Sequence, residues 1–124
     1  MRKCYNKANT IGSVPLSTLT EYNGLIFLSG VVAANPLTGK IEGNASQQAA
    51  QIIENIRSIL DDIHMSLDDI LKVTIYSQDM ESFTQVNEAY SLALNAPYPS
   101  RTFVEVSGLP LGALVEMDVI CGRP

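Results

Sequence analysis

Leu16-Ser17-Thr18-Leu19-Thr20-Glu21-Tyr22-Asn23-Gly24-Leu25-Ile26-Phe27-Leu28-Ser29-Gly30-Val31-Val32 reads as two strands around a two-residue turn. Asn-Gly takes positive φ at both central turn positions, which matches the twist of a tight hairpin. The strands are expected over residues 16–22 and 25–32. In Leu25-Ile26-Phe27-Leu28 both alternating sets are apolar, so each face of that strand needs cover. The same holds near the C-terminus, where Leu114 and Ile120 oppose Ala113, Val115, Met117 and Val119.

Asn35-Pro36-Leu37-Thr38-Gly39 then reads as a loop, and Asn44 or Ser46 caps a helix running to about residue 64. Ile52, Ile53, Ile56, Ile59, Leu60 and Ile63 recur there at helical spacing, with Glu54, Asn55, Arg57, Ser58 and Asp61 on the remaining surface. Ser66 to Asp69 is a turn. Leu71, Val73 and Ile75 alternate with Lys72, Thr74 and Tyr76, the period of a strand. A second helix over 80–94 presents Phe83, Val86, Tyr90 and Ala93 on one side, and Pro97 and Pro99 stop it. Strands over 102–106 and 113–121 complete a β-β-α-β-α-β-β order.

Each helix is amphipathic on one side, which predicts an α+β fold: one sheet with both helices on one face. No linker or repeat divides the 124 residues, so residues 1–124 are expected to form a single domain. Two helices leave the second sheet face bare, an apolar patch on the order of several hundred Å². A closed homo-oligomer with that face inside is the expectation.

Composition narrows the function. Lys and Arg total 8 against 13 Asp and Glu, a net charge of -5, which makes the chain a poor candidate for nucleic acid. Cys4 and Cys121 form no CxxC, and His64 is the only histidine, so neither a zinc site nor a Ser/His/Asp set can be built. His64 reads as a favourable charge at a helix C-terminus. Met1-Arg2-Lys3 leads into no apolar leader segment, and no apolar stretch is long enough to span a bilayer. A cytoplasmic protein without membrane contact is expected.

Glu116 stands in a mostly apolar strand, so its carboxylate must be paired or bear a desolvation cost. Asp118 follows on the same alternation. Arg101 opens the preceding strand. If Phe103 pairs with Glu116 across a hairpin, Arg101, Phe103 and Glu116 share a face. An Arg fork binds a carboxylate bidentately, and a neighbouring carboxylate orients or activates water. On spacing alone a purely structural Arg–Glu pair is the plainer reading. Ser29-Gly30 allows close backbone approach to a ligand, or marks a bulge or tight packing; Asn87 reads as a solvated helix residue.

The pattern resembles the RidA/YjgF family, also known as L-PSP. The likeness is carried by Leu28-Ser29-Gly30, Asn35 to Gly39, Val73 to Tyr76 and Val86-Asn87-Glu88-Ala89-Tyr90. It continues through Pro99-Ser100-Arg101, Val104-Glu105-Val106, Leu109-Pro110 and Gly112-Ala113-Leu114-Val115-Glu116-Met117. The resemblance implies a chorismate-mutase-like subunit in a homotrimer with a central barrel and ligand clefts between subunits. It further implies hydrolysis of reactive 2-imino or enamine acids, such as 2-aminoacrylate or 2-iminobutyrate, to 2-keto acids and ammonia, with no metal or cofactor. Arg101 would clamp the substrate carboxylate and Glu116 would position the water. Leu16, Ser29, Gly30, Asn87 and the backbone at Phe103 would line the cleft.

Two departures bear on this. Leu16 stands where the family usually carries an aromatic residue, often Tyr, and so lacks a hydroxyl. Phe103 stands where a Cys or another small residue is common, and its ring is expected to narrow the cleft. The alternatives are a trimeric carboxylate-binding protein without turnover, which Leu16 favours, and an L-PSP endoribonuclease. One histidine and a net charge of -5 weigh against the latter.

Overall fold

The computed structural model describes residues 1–7 and 14–124. Asn23 (φ 52°) and Gly24 (φ 80°) form the expected turn between β2 (Leu19–Tyr22) and β3 (Leu25–Leu28), with Tyr22 opposite Leu25. Residues 16–18 lie outside the strand. The second strand is also shorter than expected: it breaks at Ser29-Gly30 and resumes as β4 (Val31–Val32), and both pieces pair with the C-terminal strand β7 (Val115–Gly122). A short N-terminal strand, β1 (Lys3–Tyr5), pairs with β2 and was not expected.

Helix α1 (Ala45–Asp62) starts at Asn44, whose side chain accepts from the Gln47 backbone while Gln47 accepts from the Asn44 backbone. Its isoleucine stripe is buried as the spacing predicts. Asn55 does not face solvent as expected: its amide donates to the Val32 and Ala34 carbonyls, tying the helix to the end of β4. His64 follows the helix in the left-handed region (φ 62°), exposed beyond its last turn. Next come β5 (Ile70–Ser77), a 3-10 turn at Met80–Ser82, and α2 (Phe83–Ala93).

The largest correction concerns β6 (Ser100–Glu105). It forms no hairpin with β7. Instead β6 runs parallel to β5, and β5 lies between β6 and β7 in the order β1-β2-β3-β7-β5-β6. Phe103 pairs with Ile75, and Glu116 with Tyr76. The segment Ser77–α2–Ser100 is thus a crossover joining parallel strands, which needs a helix-length connection.

The sheet is mixed, and both helices pack on one face. Val73, Ile75, Val115, Met117, Val119 and Cys121 point into that core with Ile52, Ile56, Leu60 and Val86. Among the described residues no element covers the other face: Leu25 and Phe27 are each 42% exposed, as their two-sided apolar pattern predicts. Among the described residues no helix is long and apolar enough to cross a membrane.

Gln48, buried near the start of α1, fixes the entry to β7. Its amide nitrogen donates to the Gly43 carbonyl and its oxygen accepts from the Leu114 N–H at 3.0 Å. Gln48→Leu adds apolar surface yet leaves two backbone groups without partners. It is expected to lower stability by about 1–3 kcal/mol in denaturant melts.

Candidate functional site

The singled-out residues fall into two clusters, one on each face of the sheet. Arg101 is in register with Val73 and Phe103 with Ile75, so both project toward the helices. On α2, Phe83, Asn87 and Tyr90 are spaced i, i+4 and i+7, one stripe of the helix. The guanidinium carbon of Arg101 lies 5.5 Å from the centre of the Phe83 ring and 5.0 Å from that of Tyr90. Phe103 meets Phe83 edge to face, with centroids 5.0 Å apart. No described residue gives Arg101 a carboxylate or a hydrogen-bond acceptor, whereas Arg57 is tied to Glu54 and Asp61, and Arg123 to Glu21. Two polar atoms of the same stripe, Asn87 Oδ1 and the Tyr90 hydroxyl, are buried with no partner among the described residues. Burial pushes the Tyr90 hydroxyl pKa up, and Arg101 pulls it the other way.

The second cluster gathers around the Ser29-Gly30 break. Glu116 pairs with Val32 on one side and Tyr76 on the other, on the uncovered face. Its carboxylate presses on Gly30 so closely that a Cβ there would stand 2.5 Å from Oε2. Tight packing on Glu116 is therefore what this glycine permits. Ser29 donates its hydroxyl to the Ser17 carbonyl at 2.7 Å. Leu16, half exposed, lines an open depression of about 500 Å³ with Arg2, Thr20, Phe27 and Ser29.

Asp118 flanks Glu116 on the same face and accepts from the Tyr76 hydroxyl at 2.8 Å. Burial pushes the Glu116 pKa up, and the charge of Asp118 adds to the rise. The carboxyl thus holds a proton more readily than a free glutamate, a property suited to taking one from water and returning it.

Arg101 and Phe103 therefore meet at Phe83, on the α2 stripe that carries Asn87, while Leu16 and Ser29 share the depression and Gly30 packs on Glu116, but one chain does not join the two sets. The expectation that Arg101, Phe103 and Glu116 share a face is wrong, because the assumed hairpin register is absent. Asn87 is not a solvated helix residue: its oxygen is buried, on the α2 stripe between Phe83 and Tyr90. The sequence places Phe83 and Tyr90 only on one side of the second helix; their spacing about Asn87 is the signal that marks them for the site. Among the described residues no group of three or more His, Cys, Asp and Glu could hold a metal ion. Cys4 and Cys121 are free thiols.

The family model described as endoribonuclease L-PSP matches residues 8–122. A RutC family protein of Pyrococcus abyssi is 39% identical over 107 residues, covering 86% of this chain and 84% of its own. The 2-iminobutanoate/2-iminopropanoate deaminase of Escherichia coli is 32% identical over 106 residues, covering 83% of each. Among solved structures, yeast YEO7 superposes with a TM-score of 0.91 over 100% of both chains at 31% identity.

The raised pKa of Glu116 gives a signed expectation. A carboxyl that binds its proton more tightly when folded adds stability below the ordinary glutamate range, and that stability is lost as pH rises through the folded pKa. Glu116→Gln escapes that loss. In the dissociated subunit the variant is expected to melt above the parent at pH 7, and the two melting curves should converge below about pH 4. A variant that melts lower at pH 7 would mean that the carboxylate has a favourable partner.

Proposed function

The chain belongs to the L-PSP family, which is also the RidA/YjgF family, and from that membership we propose that it is an imine deaminase whose site forms between subunits. The observation that carries the reading is the Arg101 guanidinium, partly exposed and held by rings with its N–H fork unclaimed by any described carboxylate. Such a fork suits a small carboxylate. Glu116 supplies the other half from the opposite face. A neighbouring copy laid against the uncovered face would bring its own Arg101 toward this Glu116. The family likeness implies a homotrimer with a central barrel, which would also cover Leu25 and Phe27.

In the proposed reaction, Arg101 of one subunit holds the α-carboxylate of a 2-imino acid. Glu116 of the next takes a proton as water adds to the imine carbon, forming a carbinolamine. The proton passes to nitrogen to complete that carbinolamine; Glu116 then takes the carbinolamine's hydroxyl proton and delivers it to the nitrogen, so that the C=O bond forms as the C–N bond breaks, releasing a 2-keto acid and ammonia. Ser29 and Leu16 line the approach, and Asn87 and Phe103 flank the clamp. No metal or organic cofactor takes part.

A binding protein without turnover is the second reading, favoured by Leu16, which offers no hydroxyl at the mouth of the depression. The endoribonuclease description fits the residues less well, since the two clusters offer no histidine.

Generating 2-iminobutyrate in situ and following ammonia release tests the deaminase. Turnover above buffer is expected, with at least about a tenfold loss in Arg101→Ala, since an ionic clamp contributes roughly 1.5–3 kcal/mol. Undiminished activity in that variant would sink the proposal. Binding of 2-ketobutyrate with no turnover would select the second reading. Gly30→Ala drives a methyl into the Glu116 carboxylate and is expected to lower kcat while sedimentation still shows a trimer. A monomer at micromolar concentration would exclude the inter-subunit site.

A further inference from the structure

We propose that Phe83 and Tyr90 are positioning residues for Arg101, forming an aromatic slot that holds the guanidinium in place of an acidic partner, with Phe103 bracing Phe83. The inference rests on the reading of Arg101 as the carboxylate clamp, and goes beyond it in naming what aims the clamp.

The slot follows from helix geometry. Phe83 and Tyr90 are seven residues apart on α2, two turns, or roughly 10 Å along the axis. The Arg101 guanidinium carbon lies 5.5 Å from the Phe83 ring centre and 5.0 Å from that of Tyr90, within reach of both. A planar, weakly hydrated guanidinium stacks on ring faces, whereas an ammonium keeps its water. An acidic seat would also occupy the N–H fork, and an incoming carboxylate would have to displace it. Ring faces attract the cation and leave the donors free.

The surroundings support this role. Tyr90 is 5% exposed and its ring is tilted against that of Tyr98, at 6.3 Å between centroids, so its orientation is set by packing. Phe83 is more open, 39% exposed, and the edge-to-face contact with Phe103 is what steadies it. Phe103, expected to narrow the cleft, thus acts here as a strut behind the slot. The Tyr90 hydroxyl has no partner among the described residues, so the ring can be tested apart from the oxygen by removing the hydroxyl alone.

The test measures 2-ketobutyrate binding by calorimetry and deaminase KM and kcat on the full-length protein. Phe83→Leu and Tyr90→Leu are each expected to weaken binding about five- to tenfold and to raise KM with kcat retained. Tyr90→Phe should bind like the parent. Arg101→Lys should weaken binding in the parent but cost little more in the Phe83→Leu background, because the slot that distinguishes the two cations is already broken. Phe83 is partly exposed, so its variant keeps the test alive if Tyr90→Leu does not fold. Leucine variants that bind like the parent while Arg101→Ala does not would overturn the slot and leave the clamp standing. Loss in Tyr90→Phe equal to that in Tyr90→Leu would also overturn it, by assigning the role to the hydroxyl. If the parent does not bind, or if Arg101→Ala binds equally well, the functional reading of Arg101 fails first and the slot has nothing to aim.

Discussion

Side chains on a strand alternate with a period of two, and that parity separates the two halves of the site. Arg101 is registered to Val73 and Glu116 to Tyr76, both on β5. Those two β5 residues are an odd number of positions apart, so Arg101 and Glu116 stand on opposite faces. The bulge in the β5–β7 pairing lies between Ile70 and Lys72, outside this interval, and does not alter the count. No rotamer change brings a cation through a packed sheet. The guanidinium and the carboxylate can act on one molecule only if a second chain supplies one of them.

Much of the fold was legible because its signals are local. The Asn23-Gly24 turn, the isoleucine stripe of α1 and the alternation in β5 each depend on residues within a few positions of one another. The place of β6 was not legible from the Gly108–Gly112 connection, which resembles a hairpin loop. Strand pairing is non-local, and a helix between two strands, as α2 is between β5 and β6, points to a parallel crossover. Reading that topology first would have put Arg101 on the helix face. The break at Ser29-Gly30 was marked only by the glycine, whose cause is a carboxylate reaching it from a strand distant in sequence.

Electrostatics then explain why each half is poised yet idle. The chain carries 13 carboxylates, and nearly any exposed arginine could find one. Arg101 is set instead against the rings of Phe83 and Tyr90 on α2, neither of which is acidic. On the other face, Glu116 has Asp118 nearby and no cation pairs with it among the described residues, so burial and repulsion both favour its protonated form. Each group alone bears a desolvation cost, limited by its partial exposure. Meeting a group of opposite charge across a subunit boundary would lower the cost for both, and a small anion bound to the arginine would do so on one side.

The two departures from the family pattern act on different halves and do not compensate one another. Leu16 removes a hydroxyl from the rim of the depression beside Ser29, on the Glu116 face, so fewer polar groups there can hold a substrate nitrogen or a water. Phe103 adds a ring on the Arg101 face, where it packs on Phe83 and not into open space. Under the proposed reaction the first change would weaken orientation near the reacting carbon, and the second would stiffen the grip on the carboxylate. A site altered in this way depends more heavily on how firmly its arginine is held, and that firmness comes from rings spaced two turns apart on one short helix.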